Sequence, residues 1–325
     1  MLSDAHERPL TGRLAPSPTG AQHIGNARTY LLAWLSVRSR GGRLIFRMED
    51  IDSPRIKPGA AQQAIDDLRW LGLDWDDGPY VQTERAPRYL AALAQLKSAE
   101  QVYPCTCTRT DVAAAASAPH VGQEEPRYPG TCSFRRVADA LELTSKGQSF
   151  AWRFRTSSVR HEIQDLVAGT RTCNVNEELG DFVVFKSDGS PAYQLAVVVD
   201  DMAMGVTEVL RGDDLLPSAF RQLELYRFFN SPSPAFAHVP LVIGEDGRRL
   251  AKRHGDTRLS LLRETNVPAE RLVGLLAWST GLRPTKDPIT PRELLADFSL
   301  GKLPRQPFVF TAEMLRELLS YITAK

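Results

Sequence analysis

No apolar run in the chain approaches the ~18 residues that span a bilayer. The long central stretch LAVVVDDMAMGV is cut by Asp200 and Asp201. The start of the chain carries no apolar core of the kind a signal peptide has. Excess charge of either sign is also missing: Lys plus Arg number 40 and Asp plus Glu 39, a net charge of +1. Any nucleic-acid contact must therefore come from local patches, such as RRLAKRHG at Arg248–Gly255 or SFRR at Ser133–Arg136. There is no internal repeat and no low-complexity tract, the run Ala113–Ala116 being too short to count. Cysteine is scarce, with four residues: Cys105, Cys107, Cys132 and Cys173. In a reducing compartment, clustered thiols point to a metal rather than to disulfides. Together these absences predict a cytoplasmic protein with no membrane attachment.

What is present reads as α/β. The chain has 325 residues, enough for two domains or for one with a sizeable insertion. TGRLAPSP predicts a short strand running into a proline-stiffened turn. A helix follows from Ile24, with Tyr30, Leu31, Trp34, Leu35 and Val37 at helical spacing and Gly41-Gly42 ending it. RLIFRMED predicts a buried strand, and AAQQAIDDLRWLG a helix stopped by Gly72. Strand–helix–strand–helix is the pattern of a parallel sheet. From Tyr103 to about Asn174 the character changes to cysteines, small residues and the strand-like SFAWRFR, predicting an insertion. DFVVFKSDGSPAYQLAVVVDDM reads as a return to strands, with a hairpin turn at Asp188-Gly189. PSAFRQLELYRFFN predicts a helix and HVPLVIG a buried strand. Beyond Thr257, SLLRETN, PAERLVGLLAWSTGL, TPRELLADF and TAEMLRELLSYI all read as helices.

The stretch RLAPSPTGAQHIGN, Arg13–Asn26, places a turn between a strand and a helix start. Unpaired N–H groups and the helix dipole make such a turn an anion site. Gly25 permits close approach of a ligand, His23 can donate to a phosphate, and Arg13 can pair with a carboxylate. Alone this is weak, since most single histidines satisfy ordinary hydrogen bonds. A second stretch, GEDGRRLAKRHG, concentrates Arg248, Arg249, Lys252 and Arg253 just after a strand, as a polyphosphate binder would. By itself it is equally a solvated basic loop; the ordered pair carries the weight.

These motifs carry a family resemblance. APSPTGAQHIGNART resembles the HIGH region of class I aminoacyl-tRNA synthetases in the form found in glutamyl-tRNA synthetases, and RRLAKRHG resembles their KMSKS loop. RMEDIDSPR, YQLAVVVDD and EVLRGDDLLPSAFRQ resemble further stretches of that catalytic domain in the same order, so the match runs from about Arg13 to Gly255. Asn26 stands at the last His of HIGH, and Arg249 and Ala251 replace the usual Lys and Ser, while Lys252 remains. The chain stops at Lys325, where a glutamyl-tRNA synthetase continues into a helical anticodon-binding portion. In this, and in CTC followed by YPGTC, it resembles the glutamyl-queuosine tRNA(Asp) synthetase family.

The resemblance implies a class I synthetase Rossmann-like (HUP) parallel sheet, in two halves at 1–104 and 175–256, with a zinc-binding insertion at 105–174. A helical segment at 257–325 follows, with no anticodon-binding domain. It implies ATP-dependent activation of L-glutamate to glutamyl-adenylate, then transfer to the queuosine base in the anticodon of tRNA(Asp), by a monomer. Glutamate would be held by Arg13, Leu14, Ala15, Pro16, Ser17, Glu49, Tyr193 and Arg211. ATP, with Mg²⁺, would be held by His23, Gly25, Asn26, Lys252 and Arg253. One structural Zn²⁺ would take Cys105, Cys107 and Cys132; the resemblance points to Tyr128 as fourth ligand, whereas ligand chemistry alone favours His120 or Cys173. Charging of a tRNA 3′ end, a silent tRNA-binding paralogue and an unrelated nucleotidyltransferase are the competing readings.

Overall fold

The computed structural model describes residues 8–51, 56–115, 127–250 and 255–320. Lys252, Arg253 and His120 lie outside them. The strands are β1 (Thr11–Leu14), β2 (Arg43–Met48), β3 (Asp77–Val81), β4 (Val102–Cys105), β5 (Ala151–Phe154), β6 (Arg160–Asp165), β7 (Gly169–Asn174), β8 (Phe182–Phe185), β9 (Glu208–Gly212), β10 (Ala235–Val239), β11 (Val242–Ile243) and β12 (Phe308–Val309). The helices are α1 (Ile24–Arg38), α2 (Ala60–Trp70), α3 (Ala86–Ser98), α4 (Arg109–Ala115), α5 (Asp139–Ser145), α6 (Tyr193–Met204), α7 (Leu216–Phe228), α8 (Leu259–Glu264), α9 (Ala269–Ser279) and α10 (Ala312–Leu319).

β1, β2 and β3 form a parallel sheet in that order, Thr11 facing Arg43 and Leu14 facing Phe46. β9 and β10 form a second parallel pair, with Arg211 opposite His238. The two units abut along β1 and β9. Thr207 N donates to Thr11 O at 2.8 Å, Thr11 N donates to Thr207 Oγ1 at 2.8 Å, and Arg13 Nη1 donates to Leu210 O at 3.2 Å. Ligands of open α/β sheets sit beyond the carboxyl ends of strands, where the winding changes direction. That seam is such a place here. α1 covers it, buried along Leu31–Val37. Its Arg28 reaches across to Pro240 O at 2.7 Å and Ser279 Oγ at 3.1 Å, fastening α9 beneath the site.

Between the parallel units, β4, β5 and β8 form an antiparallel sheet and β6–β7 a hairpin. The hairpin leans on the parallel layer, with Leu166 N donating to Phe236 O at 2.9 Å. One apolar core gathers α1, β1, β2 and the C-terminal helices; a second gathers α3, α6, α7 and the antiparallel sheet.

Three sequence expectations are corrected. YQLAVVVDDM is helix α6, not strand. Its residues Leu195–Asp201 are all buried, so no polar face reveals the helical period, and the three valines imitate a strand. TPRELLADF forms a single 3-10 turn, Arg292–Leu294, not an α-helix: Thr290 N and Oγ1 donate to Glu293 Oε2 at 2.9 and 2.6 Å, as at a helix start, and Leu294 alone of the turn is buried. HVPLVIG is split at Pro240 into the end of β10 and β11, and β11 pairs with β12, a strand the sequence did not announce.

Candidate active site

Arg13 comes from β1, Glu49 from just beyond β2, Arg211 from β9, and Tyr193 is the first residue of α6. All four gather at the seam, close enough to act on one another's ionisation. Arg13 is buried; its Nη1 is spent on Leu210 O. Its Nε lies 3.9 Å from Asp201 Oδ1 and has no hydrogen-bond partner among the described residues. Arg211 is equally buried: Nε donates to His238 Nε2 at 3.1 Å and Nη1 to Tyr193 OH at 3.4 Å. Its Nη2 is buried with no partner among the described residues. A buried guanidinium N–H left unmet is costly, and two such donors near one another can accommodate an anion.

The acidic counterpart is Glu49, which accepts from Arg47 Nη2 at 2.9 Å. Burial raises its pKa, against the pull of Arg47 and Arg13. Arg47, fully buried, also donates to Asp201 Oδ1 at 2.6 Å. Burial lowers the Arg13 pKa, with Asp201 opposing. The neighbouring turn is braced from behind. Pro16 O accepts from Glu49 N at 2.9 Å, Ser17 O accepts from Gln22 Nε2 at 3.1 Å, and Gln22 Oε1 accepts from Tyr30 OH at 2.9 Å. Ala15, Pro16 and Ser17 are thus held in place directly after β1, whereas the Leu14 side chain lies wholly in the core.

His23 is the N-cap of α1. Its Nδ1 accepts from Gly25 N at 3.1 Å, and its own N–H donates to Asn26 Oδ1 at 3.1 Å, closing a capping box. Burial, with Arg249 nearby, pushes the imidazole down to about 4, so it is neutral near pH 7. With Nδ1 accepting, the proton sits on Nε2. Gly25 leaves room for that ring: a Cβ there would lie 3.0 Å from His23 Cε1, so the ring would have to shift by a few tenths of an ångström. Arg249, leading into the basic loop, pairs with Asp214 Oδ2 at 2.9 Å.

A second constellation lies at the end of β4. The sulfurs of Cys105, Cys107 and Cys132 fall within 4.8 Å of one another, a group able to hold a metal ion. Tyr128 OH lies 3.4 Å from Cys105 Sγ and 3.7 Å from Cys107 Sγ. Cys173 belongs to the other core, where burial and Glu178 push its thiol up to about 12.

Four participants escaped the sequence reading: Arg47, Asp201, Asp165 and His238. Arg47 and Asp201 left a trace, as charges inside apolar runs. Asp165 and His238 left none, because their partnership depends on the packing of β6 against β10.

Residues 9–316 match the family described as tRNA synthetases class I (E and Q), catalytic domain. The chain belongs to this family. It is a ligase of the aminoacyl-tRNA synthetase type. It is 51% identical over 316 residues to the glutamyl-Q tRNA(Asp) synthetase of Rhodopirellula baltica, covering 91% of this chain and 95% of that one. It is 48% identical to the protein of the same name from Symbiobacterium thermophilum, covering 95% and 98%. The glutamate tRNA ligase of Elizabethkingia meningosepticum, solved in complex with its amino acid, superposes with a TM-score of 0.80 at 26% identity, over 95% of this chain and 68% of that one. No helix among the described residues is long and apolar enough to cross a membrane.

Proposed function

We propose that the protein activates L-glutamate with ATP and transfers it to the queuosine base in the anticodon of tRNA(Asp). The observation that carries the first half is the pair of buried guanidinium donors, Arg13 Nε and Arg211 Nη2, that have no hydrogen-bond partner among the described residues, near the Glu49 carboxylate. A dicarboxylic amino acid complements that set: two carboxylates for two guanidinium groups, an α-ammonium for Glu49. Tyr193 and Ser17 add hydroxyls, Ala15 and Pro16 wall the pocket, and Leu14 contributes backbone alone. The identity to proteins named glutamyl-Q tRNA(Asp) synthetase supports the acceptor.

In the first step a glutamate carboxylate oxygen attacks the α-phosphorus, the bond to pyrophosphate breaks, and glutamyl-adenylate forms. An acceptor hydroxyl then attacks the activated carbonyl, AMP leaves and the proton passes to solvent. The protein's part is positioning and charge stabilisation. The neutral His23 donates from Nε2 to a phosphate, at a helix start shaped by Gly25 and Asn26. Lys252 and Arg253 supply positive charge from the loop outside the described residues. Mg²⁺ would arrive with ATP, held largely by phosphates and water.

The cysteine cluster fits zinc. A tetrahedral ion at about 2.3 Å from sulfur separates sulfurs by about 3.8 Å, and a phenol oxygen at about 2.1 Å would lie about 3.6 Å from each. Cys107 and Cys132 are 3.7 Å apart, and the two Tyr128 distances are 3.4 and 3.7 Å. Cys105, Cys107, Cys132 and Tyr128 would hold the ion, which supplies a cross-link to the segment 105–174 rather than chemistry.

The test is transfer of radiolabelled glutamate, with ATP, to tRNA(Asp) bearing queuosine or guanosine in the anticodon. Label on the queuosine form alone is expected. Label on both indicates 3′-end charging, and label on neither, without glutamate-dependent pyrophosphate exchange, refutes the reading.

A further inference from the structure

Arg211 is held by a chain of buried groups that reaches out of the parallel sheet. His238 stands opposite it on β10, and Asp165 closes β6. Asp165 Oδ2 lies 2.6 Å from His238 Nδ1, and His238 Nε2 lies 3.1 Å from Arg211 Nε. A guanidinium N–H can only donate, so His238 Nε2 must accept. The ring proton is therefore on Nδ1 and points at Asp165. The carboxylate is anchored: Oδ1 accepts from Val167 N at 3.0 Å, Ala168 N at 2.7 Å and His238 N at 3.1 Å. Burial lowers the His238 pKa despite Asp165, keeping the ring neutral. All three side chains are at least nine-tenths buried, so water cannot replace a lost partner.

We propose that Asp165 and His238 are positioning residues for amino-acid binding: Asp165 fixes the Nδ1–H tautomer of His238, which in turn aims Arg211 into the pocket. The inference rests on the glutamate-pocket reading above. It assigns part of the pocket's precision to the β6–β7 hairpin, outside the parallel sheet.

The decisive variant is Asp165→Asn. Its oxygen keeps the backbone N–H groups, which turns its NH₂ toward His238 Nδ1. The ring must then carry its proton on Nε2, where it opposes the Arg211 Nε–H. The KM for glutamate in pyrophosphate exchange should rise about ten- to a hundredfold, and the KM for ATP should stay within about threefold. A glutamine side-chain oxygen can occupy the place of His238 Nε2 and has no tautomer to lose. Asp165→Asn/His238→Gln should therefore recover most of the loss, whereas a purely structural role predicts a double variant worse than either single one. Should Asp165→Asn fail to fold, His238→Phe against His238→Gln makes the same comparison, Phe raising the KM and Gln preserving it. Arg211→Ala serves as reference: if it leaves the KM for glutamate unchanged, the pocket reading fails. If Arg211→Ala raises the KM and Asp165→Asn does not, the positioning role fails. ¹⁵N NMR of the unliganded wild type reads the tautomer independently of any substrate, and an Nε2–H ring would overturn the proposal whatever the kinetics show.

Discussion

Arg47→Met tests the charge arrangement under the pocket. The guanidinium lies between Asp201, at 2.6 Å, and Glu49, at 2.9 Å, with no exposure. Burial alone would lower its pKa, but Asp201, Glu49 and Asp200 raise it well above the ordinary value. Removing one member of a buried ion pair costs about 3–5 kcal/mol, chiefly from the charge left behind. Two features place this site at the lower end. Arg13 Nε, 3.9 Å from Asp201, leaves that carboxylate a second cation, and Glu49, 12% exposed, keeps contact with water and the attraction of Arg13. A loss of about 3 kcal/mol is expected, roughly a 150-fold change in the folding equilibrium. Asp201→Leu alone should also destabilise, but the double variant should recover about 2 kcal/mol, since Arg13 and Glu49, which already act on one another, are then left as a balanced pair. Urea unfolding of the four proteins near neutral pH gives the coupling. A coupling below about 0.5 kcal/mol would mean that the three charges do not act as a unit, and the argument would be wrong.

Asp67, fully buried beside Arg263, has its pKa raised by burial from 3.8 to about 6, so its stabilising contribution is complete below about pH 4 and lost as pH rises through about 6. Wild type minus Asp67→Asn should show that loss, about 3 kcal/mol, in unfolding free energies measured across the interval; a flat difference would refute it. Gly25→Ala should raise the KM for ATP about tenfold by tilting His23, with stability changed by less than about 1 kcal/mol; an unchanged KM would show that the ring tolerates the methyl group. Cys105→Ser should lower the zinc content of purified protein, while Cys173→Ser should not; metal analysis showing the reverse would reassign the ligands.

Much of this was legible because local rules and global packing agree where the elements are amphipathic or punctuated. α1 begins at its histidine cap and ends before Gly41-Gly42, α2 stops before Gly72, and the apolar β2 is buried. α6 was illegible for the opposite reason: buried along most of its length, it has no outward face to set a period. Residues at the site divided in the same way. Arg13, His23 and Gly25 sit where a strand passes into a helix, and that location can be read along the chain. Asn26, expected at ATP, spends its Oδ1 on the His23 N–H, a local role the spacing also allowed. The support for Arg211 comes from Asp165 and His238, 46 and 27 residues away, and no short-range pattern encodes their meeting. The phenol of Tyr128 among the sulfurs was reached through resemblance, since ligand chemistry favoured imidazole or thiolate.

The seam between β1 and β9 also sets a timetable. Thr11 finds its neighbour Thr207 only after 196 further residues have been made. At about 5–20 residues per second, that is roughly 10–40 s of synthesis. For that interval one edge of β1 has no strand beside it. The edge is short, four residues opened by Pro9 and Leu10 and containing Gly12, a poor template for pairing with a stranger. Completion of the pocket is thus a late event relative to its first strand: Arg13 is made 197 residues before Leu210, and it acquires that hydrogen-bond acceptor only when the second parallel unit folds against the first.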